Sequence, residues 1–100
     1  MEKLLVFYRI TVDIKQEEFE EAYRQYKPKM EYIPGHYSEM LVRSTTDANT
    51  YGILSTWQPE SFLNWLESPA HAEVVDLLNT YKRGAPQISR YVVAERFDRL

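Results

Sequence analysis

Apolar and polar residues follow one another along this chain with two different periods, and the changes of period predict its elements. Residues 3–12 are mostly aliphatic, aromatic or β-branched, which indicates a β-strand. Asp13 and Gln16 then form a capping-box pattern, so a helix is expected to begin there. Pro28 lies inside this helix and predicts a kink or a break near Lys27. The apolar side of the helix consists of Phe19, Ala22, Tyr23, Tyr26, Met30 and Ile33.

The second half of the chain passes from strand to helix again. Residues 36–45 and 50–57 predict two strands of a hairpin, joined by the polar loop TTDAN. Pro59 marks the start of one helix and the pair Ser68-Pro69 the start of another. Gly84 marks the end of the second of these helices. Residues 88–97 carry apolar residues on both parities and predict a final strand.

This order of elements is that of the split βαβ arrangement, an α+β, ferredoxin-like fold. It predicts a four-stranded antiparallel sheet with helices on one face, in a single domain that spans residues 1–100. The first and last strands carry apolar residues on both faces, so the uncovered face of the sheet should be apolar as well. Sheet-to-sheet packing of two subunits would cover that face, and we therefore expect a homodimer.

Composition limits the partners that this domain can have. The formal net charge of -3 argues against binding to a phosphate backbone, so nucleic acid is not an expected partner. With no cysteine and only two histidines, one chain cannot assemble a closed zinc site, and no metal is expected.

The apolar run at the N-terminus is short and interrupted by polar residues, which indicates neither a signal peptide nor a membrane span. We expect a soluble, cytoplasmic protein.

Candidate chemistry is concentrated in residues 57–71, WQPESFLNWLESPAH, which hold both tryptophans and one of the two histidines. Trp65 could stack on a planar substrate or be an ordinary core residue. His71 could act as a general base, because imidazole changes its charge near neutral pH, or it could face solvent in the first turn of its helix. Tyr8 lies on the parity assigned to the helix side, where its hydroxyl could orient a substrate oxygen or simply pack.

Several of these residues carry a resemblance to a known family. The pair Pro34-Gly35 precedes the second strand, Trp57 ends the third, and the run F-x-x-W-x-x-S-P-x-H follows it. In these features the chain resembles the antibiotic biosynthesis monooxygenase (ABM) family. The resemblance implies a dimeric α/β barrel made of two ferredoxin-like subunits, with a pocket in each subunit between the sheet and its helices.

Different branches of the ABM family carry different residues in this pocket. The haem-degrading branch has an asparagine on the first strand, a tryptophan on the second helix and an axial histidine on the third. This chain has Tyr8, Trp65 and Val75 at these positions, so only the tryptophan matches. The cofactor-free branch has an aromatic residue or a histidine six positions after its tryptophan, and His71 stands at that distance from Trp65. The resemblance therefore implies a monooxygenase of a small or polycyclic phenol or quinol that uses no cofactor. Trp65 would be its platform, His71 its base and Tyr8 a hydrogen-bond donor.

Two alternatives stay open on the sequence alone. The chain could be a haem-binding or haem-degrading monooxygenase, with haem as its cofactor. It could also be a non-catalytic dimer that binds a small apolar ligand, because aromatic residues serve a small core and a dimer interface as well as they serve a pocket.

Overall fold

The described residues form a four-stranded antiparallel sheet with three helices packed on one face. A computed structural model describes residues 3–13 and 16–97 of the chain. Its elements are β1 (Leu4–Thr11), α1 (Gln16–Met30), β2 (His36–Arg43), β3 (Thr50–Trp57), α2 (Pro59–Leu66), α3 (Pro69–Tyr81) and β4 (Gln87–Val92). The strands lie in the order β2-β3-β1-β4. The α+β, ferredoxin-like fold predicted from the sequence is therefore confirmed.

Two predicted boundaries were wrong. A kink or a break was predicted near Lys27, and the break does not occur, because helix α1 continues through Pro28 and ends at Met30. Pro28 lies in the last turn of α1, where the hydrogen bond that it removes is one of the last in the helix. Strand β4 ends at Val92 rather than at residue 97. Val92 pairs with Leu4, the first residue of β1, so within residues 3–13 and 16–97 the chain beyond Val93 has no strand left to pair with.

The helix-facing side of the sheet carries the core, as the alternation in β1 predicts. Val6, Ile10 and Val12 are buried on this side, and β3 adds the odd-numbered residues of its own sequence. The helices cover them with one apolar stripe each, so that burial rather than disulfides holds the layers together. The core falls into two clusters, with Ile10, Val12, Phe19, Tyr51, Ile53 and Leu78 in one and Val6, Met30, Trp57, Phe62 and Trp65 in the other.

The opposite face of the sheet is not covered by any helix of the described residues. Strand register places Met40 opposite Leu54 and Leu54 opposite Phe7, so these apolar side chains lie on one surface. Met40 is 59% exposed. The bare apolar face that the sequence predicted is therefore present in the subunit. We define the bare face by Leu5, Phe7, Met40, Val42, Leu54 and Tyr91.

A β-bulge at the start of β2 turns one side chain inwards. His36 pairs with Trp57 and Ser38 pairs with the adjacent Thr56, so Tyr37 is an extra residue in this strand. In a regular strand His36 would share the bare face with Ser38, because alternate residues face the same side. The bulge reverses that alternation. The His36 side chain points towards the helices instead, and it is only 7% exposed.

Two glycines with the same positive φ provide a test of local packing at the edge of this domain. Gly35 and Gly84 both have a φ of 78°. A Cβ atom at Gly35 would overlap the Ser61 side chain, whereas a Cβ atom at Gly84 would meet nothing within 4 Å. We expect Gly84→Ala to lower the free energy of unfolding by about 1–2 kcal/mol, the cost of left-handed backbone for alanine.

Gly35→Ala carries the same backbone cost and the overlap as well, so we expect it to lower the free energy of unfolding by about 1–3 kcal/mol more. Urea denaturation followed by circular dichroism measures both variants. Equal midpoints for the two variants would contradict the close approach of residue 35 to α2.

Candidate functional site

A cavity of about 130 Å³ lies between the sheet and the helices. Most of its lining is apolar, and a few polar side chains project into it, which is the usual composition of a small-molecule site. Its volume is close to that of an engineered apolar cavity of about 150 Å³ that holds one benzene molecule. The polar side chains that line it are Tyr8, Tyr23, Tyr26, Glu39, Ser55, His71 and Arg90.

The wall formed by α2 and α3 carries a set of aromatic rings. Trp65 stacks on Trp57 with 5.7 Å between the ring centroids and 27° between the planes. The His71 ring meets Trp65 edge-on, at 5.4 Å and 74°. Ser68 fixes this arrangement, because its hydroxyl donates to the Trp65 carbonyl at 2.7 Å and accepts from the His71 backbone N–H at 3.1 Å. The tight turn between the helices thus sets His71 beside the tryptophan that precedes it by six residues.

Tyr8 enters the cavity from β1, at the floor formed by the sheet. It lies opposite Ile53 on β3 and Ile88 on β4, so its neighbours across the sheet are apolar. Burial raises the pKa of Tyr8 above its usual value, since the charged phenolate is poorly solvated there. Its hydroxyl therefore stays protonated near neutral pH and can donate a hydrogen bond into the cavity.

A third group on the cavity wall joins α1 to β2. The Tyr23 hydroxyl donates to Glu39 Oε2. Burial raises the pKa of Tyr23, and the negative charge of Glu39 and this hydrogen bond raise it further. On the other side of the carboxylate, Glu39 Oε1 lies 3.3 Å from His36 Nε2. The His36 ring in turn lies against Trp57, with 4.4 Å between the ring centroids.

One row of side chains crosses the cavity floor from β2 to β4. The strand register places Glu39 opposite Ser55, Ser55 opposite Val6, and Val6 opposite Arg90. Adjacent strands lie about 4.8 Å apart, so the backbones of Glu39 and Arg90 are separated by about 14 Å. The Arg90 guanidinium lies over the Phe62 ring, 5.1 Å from its centroid. The floor thus has a carboxylate at one end and a cation at the other.

The structure brings together the three residues singled out in the sequence, since Trp65, His71 and Tyr8 all line the same cavity. Their chemical roles stay predictions. Sequence reasoning missed Glu39 and its two partners. One signal was available, because Glu39 is a carboxylate on the parity of β2 that faces the helices, where an unpaired charge is costly.

The described residues bring no three His, Cys, Asp or Glu side chains close enough to hold a metal ion. None of the helices in residues 3–13 and 16–97 combines the length and apolar character needed to span a bilayer.

Fold and cavity together define a ferredoxin-like α+β domain with an aromatic-lined cavity between its sheet and its helices. The chain belongs to the antibiotic biosynthesis monooxygenase family, whose sequence profile matches residues 5–77. Among solved structures it is similar to a variant of SnoaB, a cofactor-independent oxygenase from Streptomyces nogalater. The TM-score is 0.85 at 17% identity, over 97% of this chain and 98% of SnoaB.

Another similar structure is that of a protein from Bordetella bronchiseptica assigned to antibiotic biosynthesis monooxygenases, with a TM-score of 0.80 at 19% identity over 91% of this chain and 96% of that one. Two curated relatives come from Streptomyces. SchA of Streptomyces halstedii is 34% identical over 83% of this chain. A 42.8 kDa protein of the whiE locus of Streptomyces coelicolor is 31% identical over 86% of it. This chain spans 22% of the length of each of these two relatives.

Proposed function

We propose that the chain is a cofactor-independent monooxygenase that oxidises a phenol of single-ring size. One observation carries this proposal. Trp65 on α2, His71 on α3 and Tyr8 on β1 all line the same cavity. Trp65 offers a flat apolar face, His71 a proton acceptor beside that face, and Tyr8 a hydroxyl donor. The fold shared with SnoaB, itself a cofactor-independent oxygenase, supports the same function.

The proposed reaction converts a phenol and O2 into a quinone and water. Loss of the hydroxyl proton gives an electron-rich anion, to which Tyr8 donates a hydrogen bond. The ring carbon opposite the oxygen then forms a bond to O2, and the outer peroxide oxygen takes up the hydroxyl proton. His71 removes the hydrogen from that carbon as the O–O bond breaks. The released electron pair forms the second C=O, and the departing hydroxide takes the proton from His71 and leaves as water.

The volume of the cavity favours a small substrate over a polycyclic one. About 130 Å³ accommodates one aromatic ring. A second fused ring would have to extend through the opening of the cavity or displace its walls, and Trp65 in one wall is held in place by Trp57 and the Ser68 turn. The same volume disfavours the haem alternative, because a porphyrin contains four pyrrole rings, and the haem-degrading branch has its axial histidine where Val75 lies here.

We also propose that two subunits associate through their bare faces, and that the protein works in the cytoplasm. The apolar character of the bare face supports the first proposal. A chain without cysteine gains nothing from an oxidising compartment, which supports the second.

Oxygen uptake tests the proposed reaction directly. We expect protein-dependent O2 consumption with phenol, slower uptake with 1-naphthol and least with 9-anthrol, all of which carry a hydrogen on the ring carbon opposite the hydroxyl. His71→Gln should lower the rate with phenol by roughly 10²–10⁴-fold, the usual contribution of a general base. Glu73→Gln, an exposed change on the same helix, should leave the rate unaltered. An oxygen electrode measures these rates as the excess over boiled protein.

No uptake above that background with any of the three compounds would overturn the proposed function. Equal rates for His71→Gln and Glu73→Gln would remove His71 from the reaction.

A further inference from the structure

The Glu39 carboxylate is a charged group on the cavity wall that the reaction above does not use. Its side chain is 16% exposed, so most of its hydration shell is replaced by protein. Tyr23 donates to Oε2, which leaves further lone pairs on the two carboxylate oxygens. Burying a carboxylate costs free energy unless hydrogen-bond donors bind it. The hydroxyl group of an aromatic ring bound in the cavity would be such a donor.

His36 stands behind this carboxylate with one ring nitrogen unsatisfied. Its Nδ1 lies 3.0 Å from the Met30 carbonyl oxygen. Because a carbonyl can only accept, Nδ1 carries a hydrogen. The other nitrogen, Nε2, is buried and has no hydrogen-bond partner in the described residues. It is nevertheless only 3.3 Å from Glu39 Oε1. A proton brought to Glu39 would satisfy both atoms at once.

This pair also lies between the cavity and the outer surface. Glu39 and Tyr23 line the cavity, and they also line a second cleft on the outer side, between α1 and β2. His36 borders that outer cleft, together with the charged residues Arg24, Lys27 and Glu31. The carboxylate therefore separates the substrate space from a surface where protons exchange with water.

We propose that Glu39 is the catalytic residue that receives the hydroxyl proton of the bound ring, and that His36 and Tyr23 are its positioning residues. This deepens the proposed function and relies on it for the ring being a phenol. The O–H bond of the ring breaks and its electron pair stays on the ring oxygen. The proton passes to Glu39 Oε1, and the new O–H group donates a hydrogen bond to His36 Nε2. His71, edge-on to Trp65, is then left to serve the ring carbon.

A coloured phenol tests this step without oxygen chemistry. 4-Nitrophenol has one ring, its phenolate absorbs apart from the phenol, and its nitro group makes the ring too electron-poor to react with O2. At a pH below that at which the free compound ionises, binding to the protein should raise the ratio of phenolate to phenol by about 10-fold, equivalent to one pKa unit. Quenching of tryptophan fluorescence reports the bound fraction.

Four variants separate the possible acceptors. Glu39→Gln keeps an acceptor for Tyr23 but removes the base, so it should return the ratio to that of free 4-nitrophenol while binding persists. His36→Asn keeps a donor for Met30 and removes Nε2, so it should also lower the ratio. Tyr23→Phe should increase the ratio, because it frees the carboxylate from a hydrogen bond that stabilises its charged form. His71→Gln should leave the ratio as in wild type.

A wild-type protein that does not bind 4-nitrophenol, or binds it without a gain in phenolate, would overturn the assignment. So would a Glu39→Gln variant that keeps the gain, or a His71→Gln variant that loses it. Thermal unfolding followed by circular dichroism shows that each variant is folded at the assay temperature. A wild-type protein that shows the gain in phenolate but no oxygen uptake would refute the proposed oxygenase reaction. It would still support Glu39 as the proton acceptor.

Discussion

Trp65→Ala is expected to lower oxygen uptake with phenol by about 100-fold or more, because a ring without its platform no longer holds one position relative to its proton acceptors. The same change should lower the free energy of unfolding by about 3–5 kcal/mol. Trp65 is buried, it stacks on Trp57, and its carbonyl accepts from Ser68. Its removal enlarges the cavity at the one wall that is flat and aromatic. Oxygen uptake and urea denaturation measure the two effects.

Trp65→Phe separates the two effects. Phenylalanine restores a flat apolar ring and leaves a smaller void, so this variant should recover most of the stability and a measurable part of the rate. Both variants are compared at a temperature at which circular dichroism shows each to be folded. A Trp65→Ala protein that is destabilised yet as active as wild type would contradict the platform and favour a site elsewhere. A wild-type protein that binds phenols without turnover would favour the non-catalytic ligand-binding dimer.

The fold could be predicted because its signals are local. The alternation in β1, which buries Val6 and Ile10, lies within one strand, and the start signal at Ser68-Pro69 lies within one turn. The boundary of β4 was predicted wrongly because its partner strand, and not its own sequence pattern, determines where it ends. Strand β4 ends at Val92 because β1 begins at Leu4, and nothing in residues 93–97 indicates this.

The site could be predicted only in its local part. Trp65 and His71 are six residues apart on two consecutive helices, so their spacing and the intervening Ser68-Pro69 cap fix their meeting. Glu39 and Tyr23 meet across sixteen positions through the packing of α1 on β2. The position of His36 could not be predicted for another reason. The bulge at Tyr37 reverses the face of His36, and a parity argument then assigns it to the wrong side.

The bare face relates the proposed dimer to the site. Phe7 and Leu54 lie on the opposite side of the same central strands that carry Tyr8, Ile53 and Ser55 into the cavity. Adjacent residues of a strand point to opposite faces. An interface that holds the side chains of the bare face in place therefore also restrains the side chains of the cavity floor. Gly52 keeps this face close-packed, since a Cβ atom there would lie only 3.0 Å from the Phe7 ring. Separation of the subunits should therefore loosen the cavity floor.

Met40→Arg is expected to convert the proposed dimer into a monomer of 11.9 kDa, which sedimentation equilibrium would show as a halved mass. It should also lower thermal stability, because the apolar bare face becomes exposed to water. Leu63→Arg on α2 is the matched control, since Met40 is 59% exposed in the subunit and Leu63 is 57% exposed. In an isolated subunit the two changes should be equally harmless. A charge on the subunit surface becomes costly only where a partner excludes water from it, so Met40→Arg alone should dissociate the protein. A wild-type chain that sediments as a monomer, or two variants of equal mass and stability, would refute association through the bare face.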